Sequence, residues 1–164
     1  MAIGSSAMCG TFKREILAGI HFWTAHTRTG SSAISADTFK IAMFTNSASI
    51  DADTTGYTTS NEVSGTGYSA GGATLGSVTL GLADNSSSVP TAFLDFADTT
   101  FSSSTISNAR GALIYNSTLS TAGTGSTTNH AADPAVAVIN FGGDKSSSSG
   151  DFTIQYPAND ANNA

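Results

Sequence analysis

Short apolar runs alternate with long polar ones along this chain, and the spacing within the apolar runs predicts its elements. Residues 39–45, Phe-Lys-Ile-Ala-Met-Phe-Thr, put Phe39, Ile41, Met43 and Thr45 on one side of an extended backbone and Lys40, Ala42 and Phe44 on the other. A strand with both faces at least partly covered is expected there. Residues 73–82 read as a second strand whose later half keeps a period of two through Val78, Leu80 and Leu82. Further strands are predicted at 91–97, briefly at 105–108, and at 110–116, the last of them buried. Residues 135–141 and 151–156 close the chain and are joined by Gly142-Gly143-Asp144-Lys145 and a run of serines, a pattern that predicts a hairpin with a long polar connection. Helical spacing occurs once: Phe12, Ile16, Ile20 and Trp23 recur every three or four residues beside Leu17. A helix is expected over about 11–23, with Thr11 as its N-cap and Gly19 weakening its last turn.

Seven or eight short strands with no crossover helix between them predict an all-β fold, an antiparallel β-sandwich or jelly roll with a short N-terminal helix and arm. In a single domain, residues 1–36 are expected to form the arm and residues 37–164 the sandwich. Composition narrows the function classes. Only 11% of residues are charged, 39% are hydrophobic and the formal net charge is -6. That balance argues against a disordered chain, and it lets copies pack side by side with little like-charge cost. Lys13, Arg14, Arg28, Lys40, Arg110 and Lys145 are scattered, so no phosphate-tracking patch and no nucleic-acid partner is expected. Cys9 is the single cysteine, which rules out an internal disulfide. The start lacks a basic leader region and no 18-residue apolar run exists, so neither a secretory signal nor a membrane partner is expected, and synthesis in a cytoplasm follows.

No residue set organises into a catalytic or cofactor site. His21, His26 and His130 lack metal-ligand spacing; Asp51, Asp53 and Asp144 offer loop oxygens without an EF-hand pattern. The nucleophile-elbow motif does not occur, and Asp95 with Asp98 is a carboxylate pair with no cleft implied. Gly65-Thr-Gly67 and Gly71-Gly72 lack the lysine and following helix of a phosphate loop, so they are read as turns. The sequons at Asn85 and Asn116 are discounted in a chain this rich in serine and threonine. The expectation is a protein that is not an enzyme and needs no cofactor. The candidate partner interface is the apolar set Phe12, Ile16, Leu17, Ile20, Phe22 and Trp23, in which Trp23 is either a core contact or an anchor in a neighbouring subunit.

Four blocks carry a family resemblance: residues 39–46 (FKIAMFTN), 61–75 (NEVSGTGYSAGGATL), 110–116 (RGALIYN) and 152–157 (FTIQYP), preceded by a helix that runs from Lys13 to Gly19. In this order they resemble small tailed-bacteriophage virion proteins, from about Phe12 onward. The resemblance implies a structural virion protein, and the expectation is a capsid decoration (cement) protein. Such a protein would sit on the capsid surface, bind the major capsid protein lattice, stabilise the head and self-associate, with a trimer favoured. A tail component or host-surface adhesin is the alternative. No catalytic residue comes with the resemblance.

Overall fold

The longest elements of the fold are the segments richest in serine. The computed structural model describes residues 3–27, 32–84, 90–125 and 129–157. In chain order these hold β1 (Ala7–Met8), α1 (Gly10–Leu17), β2 (Phe39–Phe44), β3 (Gly65–Thr66), β4 (Ala73–Thr74), β5 (Thr79–Asp84), β6 (Pro90–Asp95), β7 (Thr99–Asn116) and β8 (Ala135–Ile154). Every strand pairing among the described residues is antiparallel. The main sheet runs β1-β8-β7-β2-β4 with β3 added to β7, while β5 and β6 form a two-stranded sheet of their own. The chain is therefore all-β and antiparallel with one short helix, as expected; this strand order does not confirm jelly-roll wiring.

Strands β7 and β8 correct the sequence reading. Residues 105–108 and 110–116 belong to one strand that begins at Thr99. Residues 135–141 and 151–156 do not pair with each other, because the polar stretch between them is itself strand and their common partner is β7, with Thr99 opposite Ile154 and Tyr115 opposite Ala135. The cause is a series of β-bulges. Ser103 and Asn108 in β7, and Gly142 and Ser149 in β8, all have positive φ and fall where the register shifts. Buried positions along β7 run Thr99, Phe101, Ser104, Ile106, Ala109 and Gly111, so the alternation skips a residue at Ser103 and again at Asn108. At these four positions a side chain takes over the lost ladder bond. The Ser103 N–H donates to Asp151 Oδ1 at 2.9 Å, that of Asn108 to Ser146 Oγ at 3.1 Å, that of Ser149 to Thr105 Oγ1 at 3.0 Å and that of Gly142 to Asn140 Oδ1 at 2.8 Å. Short polar side chains, Asp151, Ser146, Thr105 and Asn140, thus satisfy the bulged ribbon.

The predicted strand over 73–82 is also divided. β4 pairs with β2 and β5 with β6, and between them Ser77 has a φ of 52°. One face of the main sheet carries Ile41, Ile114 and Ala137 in direct register, then Met43, Ala112 and Ile139. Trp23 covers this face by stacking on Phe39 at 3.6 Å, and Phe96 follows at 5.9 Å from Trp23. On the opposite face Tyr57 stacks on Tyr115 at 4.5 Å. Both faces of β2 are thus covered, and Phe39, Ile41, Met43 and Phe44 are all buried. Each such side chain contributes roughly 1.5–3 kcal/mol through burial.

The first residues lie against this sheet. Ile3 is buried, Gly4 N donates to Ile50 O at 2.9 Å, and β1 extends the sheet beyond β8. The helix is shorter than its apolar spacing suggests. It ends at Leu17 because Gly19, at a φ of 68°, turns the chain into a paired terminus: Gly19 N donates to Ile16 O at 3.0 Å and Ile20 N to Glu15 O at 3.0 Å. Its N-cap is Cys9 rather than Thr11, with no side-chain cap bond. Ile20 and Trp23 accordingly lie beyond the helix.

Candidate functional site

Among the described residues, two polar networks are centred on carboxylates, one buried around Glu15 and one half-buried around Glu62. In the first, Glu15 and His21 are buried, with His21 Nε2 2.8 Å from Glu15 Oε2. The Asn116 side-chain amide lies 3.0 Å from His21 Nδ1 and donates to Asp37 Oδ2 at 2.8 Å, while its Oδ1 accepts from Thr118 N at 3.0 Å. Those partners fix the amide's orientation, so His21 Nδ1 is an acceptor and its Nε2–H donates to Glu15. Asp37 Oδ2 also accepts from Phe22 N at 2.9 Å. The cluster ties the residues after α1 to the end of β7. Asn116 is buried, so its sequon is not presented to solvent.

The second cluster is built by the segment 57–72. The Glu62 carboxylate accepts from Tyr57 OH at 2.6 Å, Tyr68 OH at 2.6 Å and Gly71 N at 2.8 Å. Tyr115 OH donates to Gly71 O at 2.8 Å, and Met43 N donates to Tyr68 OH at 2.9 Å. Burial, then the hydrogen bond to Glu62, pushes both Tyr57 and Tyr68 far above the usual phenol range. Burial, with Asp133 and Glu62 adding to it, pushes Tyr115 up to about 12, and burial also raises Tyr156. All four tyrosines of the chain therefore favour the neutral phenol in the fold. Above about pH 10 the unfolded chain loses phenol protons that the folded one keeps, so stability is unaffected below that pH and falls as pH rises beyond it. Absorbance of tyrosinate at about pH 11 is expected to be much lower in the folded protein than in the chain in concentrated urea, which is mostly ionised there. Ordinary titration of all four phenols near pH 10 in the folded protein would refute this arrangement.

The remaining candidates for chemistry are placed apart. Burial, then Asp51 and Glu15, pushes the Cys9 thiol up to about 11, which keeps it protonated at neutral pH. Asp51 Oδ1 accepts from Asp53 N at 2.9 Å within its own turn, and Asp144 lies 3.2 Å from Arg110. Among the described residues no group of three or more His, Cys, Asp or Glu side chains could hold a metal ion. No helix among them is long and apolar enough to cross a membrane.

What the described surface does offer is apolar. Of the candidate interface residues, Phe12 is buried, 4.9 Å from the His21 ring, and Trp23 lies on Phe39. Ile20 and Phe22 are half-buried, with Phe22 5.1 Å from His26. Ile16 and Leu17 face outward, and Leu17 is 90% exposed. Beside them on α1 stand exposed Lys13 and Arg14; the latter donates to Asn129 O at 2.6 Å and lies 3.6 Å from Glu15 Oε1. A second apolar surface, absent from the sequence reading, belongs to the β5–β6 hairpin. Leu80 opposes Leu94, Leu82 opposes Ala92, and Leu82 is 76% exposed. Between this hairpin and the main sheet lies a cleft of about 250 Å³ lined by Phe93, Phe96, Ile114 and Ile139. Through Ile139 it continues into an open groove of about 420 Å³ lined by Phe141, Phe152 and Ile154, with Lys145 and Asp151 on its rim. The signal for it was the period of two through Leu80 and Leu82, which marked a strand without saying which face lacked a cover.

No protein-family model, curated protein or solved structure matches this chain.

Proposed function

We propose that the chain is a structural virion protein of the capsid-decoration kind, which binds the lattice of a major capsid protein and works by contact rather than by turnover. The observation that supports this reading is the pairing of exposed Ile16 and Leu17 with Lys13 and Arg14 on α1, while Glu15, His21 and Glu62 are engaged in internal hydrogen bonds. A low-charge surface with outward aliphatic side chains suits lateral contact repeated over many copies. The four residue blocks described above supply the resemblance to phage virion proteins. Reading the chain as a host-surface adhesin is less supported, because Tyr57, the loop aromatic offered for sugar stacking, is stacked on Tyr115 and bonded to Glu62.

The test is co-sedimentation of the full chain with heads assembled from the major capsid protein of the same genome. Wild type is expected to pellet with the heads, and Leu17→Asp to be retained at least about tenfold less, since an apolar side chain desolvated at an interface centre commonly carries more than 1 kcal/mol. Retention of Leu17→Asp equal to wild type excludes α1 as the capsid-binding face. Failure of the wild type to pellet removes the decoration reading itself.

A further inference from the structure

We infer that the peptide bond between Asp133 and Pro134 is a self-cleavage site, at which the Asp133 side-chain carboxyl attacks its own backbone carbonyl and the chain parts. This goes beyond the structural reading above and stands independently of it. Asp-Pro occurs once in the sequence, and the fold holds it in a conformation that few residues accept. Asp133 has a φ of 44°, and of the described residues with positive φ it alone precedes a proline. The left-handed region crowds a Cβ, and a following proline ring further disfavours helical backbone, so two penalties coincide at one residue. Its neighbours prevent relief. Asp133 N donates to Leu119 O at 2.8 Å, Asn116 N to Pro134 O at 3.0 Å and Ala135 N to Thr55 O at 3.0 Å. Pro134 is buried, and Gly56 approaches it across a β-bridge so closely that a Cβ on the glycine would lie 2.6 Å from Ala132 O and 3.5 Å from Asp133 O. Strain that the surrounding structure pins in place is strain that a reaction can release.

The chemistry follows from the same contacts. Tyr57 N donates to Asp133 O at 2.9 Å, so the carbonyl is polarised before attack and the same N–H stabilises the oxyanion that forms on it. The Asp133 carboxyl reaches its own carbonyl carbon by rotation about a single side-chain bond, which makes the attack intramolecular. One carboxyl oxygen bonds to that carbon, the carbon–nitrogen bond breaks, and the carboxyl proton passes to the Pro134 nitrogen, which leaves as a secondary amine. The other product is a five-membered cyclic anhydride, which water opens to the α- and β-carboxyls of a new C-terminal Asp133. Pro134 suits the leaving role because its tertiary amide nitrogen takes up a proton more readily than a backbone N–H. Burial raises the Asp133 carboxyl above its ordinary value, with Lys40 of β2 opposing the shift, so the fold retains the proton that the leaving nitrogen needs. Tyr115 of β7, whose phenol also faces Asp133, is itself pushed up by burial and stays neutral. The two pieces remain together, because Ala135 to Ile154 stay paired with Tyr115 to Thr99 along β7.

The experiment incubates the purified full chain in mildly acidic buffer, once folded and once in concentrated urea at the same pH, and follows both by intact-mass spectrometry. Circular dichroism establishes that the sample without urea stays folded. One piece ending at Asp133 and one beginning at Pro134 are expected, formed at least about tenfold faster in the folded chain, since a single oxyanion donor commonly carries more than that. Hydroxylamine added during the incubation is expected to capture the anhydride as a hydroxamate on Asp133. Asp133→Asn, which lacks the acid proton, is expected to part at least about tenfold more slowly. Should that variant fail to fold, the comparison of folded with urea-treated wild type decides alone. A folded chain that stays intact, a folded rate no greater than the rate in urea, or an Asp133→Asn chain that parts as fast as wild type overturns the inference.

Discussion

Gly72→Ala is expected to lower the melting temperature by about 10 °C or more, or to prevent recovery of folded protein. Gly72 has a φ of 68°, and a Cβ built on it would lie 1.8 Å from Ile41 O and 2.7 Å from Ala42 Cα. Those atoms are the backbone of β2, which is buried on both faces and hydrogen-bonded to β7, so they cannot retreat. Relief requires the chain at Gly72 to lift away from β2. That movement would disrupt the pairing of β4 with β2, the Leu75 N to Phe39 O bond at 2.9 Å, and the bonds of Gly71 to Glu62 and Tyr115. Left-handed strain alone is about 1–2 kcal/mol for a residue with a Cβ. The lost hydrogen bonds bring the total to about 4 kcal/mol, and each kcal/mol shifts melting by roughly 2–4 °C at this chain length. Gly142→Ala separates strain from collision. Its φ is 73°, yet nothing lies within 4 Å of its would-be Cβ, so only the strain remains and a shift of a few degrees is expected. Equal shifts for the two variants in thermal melts followed by circular dichroism would show that contact with β2 is not what requires glycine.

Sequence patterning located β2 and β6 to within about two residues because their apolar positions keep one period from end to end. It missed the length of β7 and β8 for a definable reason. A bulge shifts the inward set by one residue, so Phe101, Ser104, Ile106 and Ala109 obey no single period, although each stretch between bulges does. The serines compounded the error. Ser104 Oγ bonds Ser147 Oγ at 2.7 Å and Gly150 O at 3.0 Å, so a buried hydroxyl occupies a position where an apolar residue would have advertised a strand. On the surface, periodicity made Phe12, Ile16, Ile20 and Trp23 equivalent, whereas tertiary packing divides them. The turn at Gly19 swings Trp23 back onto Phe39, while Ile16 and Leu17 remain outside. Glycines between residues 65 and 72 were read as turns, and three of them, Gly67, Gly71 and Gly72, do have φ between 68° and 89°. The acceptor that those turns surround, Glu62, could not be read from spacing, because its donors come from positions 57, 68 and 71 and meet only after the chain has turned.

Glu62→Ala is expected to cost about 3 kcal/mol, since it leaves two phenol hydroxyls and one backbone N–H without their acceptor. A charged acceptor bonded at 2.6 Å to each of two tyrosines contributes more than a neutral one, so Glu62→Gln should fall between wild type and alanine. The glutamine keeps one carbonyl oxygen but turns an NH2 toward donors that need an acceptor. A double-mutant cycle distinguishes this clamp from simple loss of packing. If Glu62 acts by accepting from Tyr68, then Tyr68→Phe costs at least about 1 kcal/mol in the wild-type background and much less once Glu62 is alanine. Tyr57→Phe should behave the same way, with a smaller cost because its ring remains stacked on Tyr115 after the hydroxyl is gone. Urea denaturation at pH 7 reads all of these differences. Additive costs, with no coupling between Glu62 and either tyrosine, would mean that the segment 57–72 is held by its glycine turns and its contacts with β2 and β7 alone. Strong coupling would make the single carboxylate the point from which the segment is fixed, and would account for the lone charged residue between positions 57 and 72.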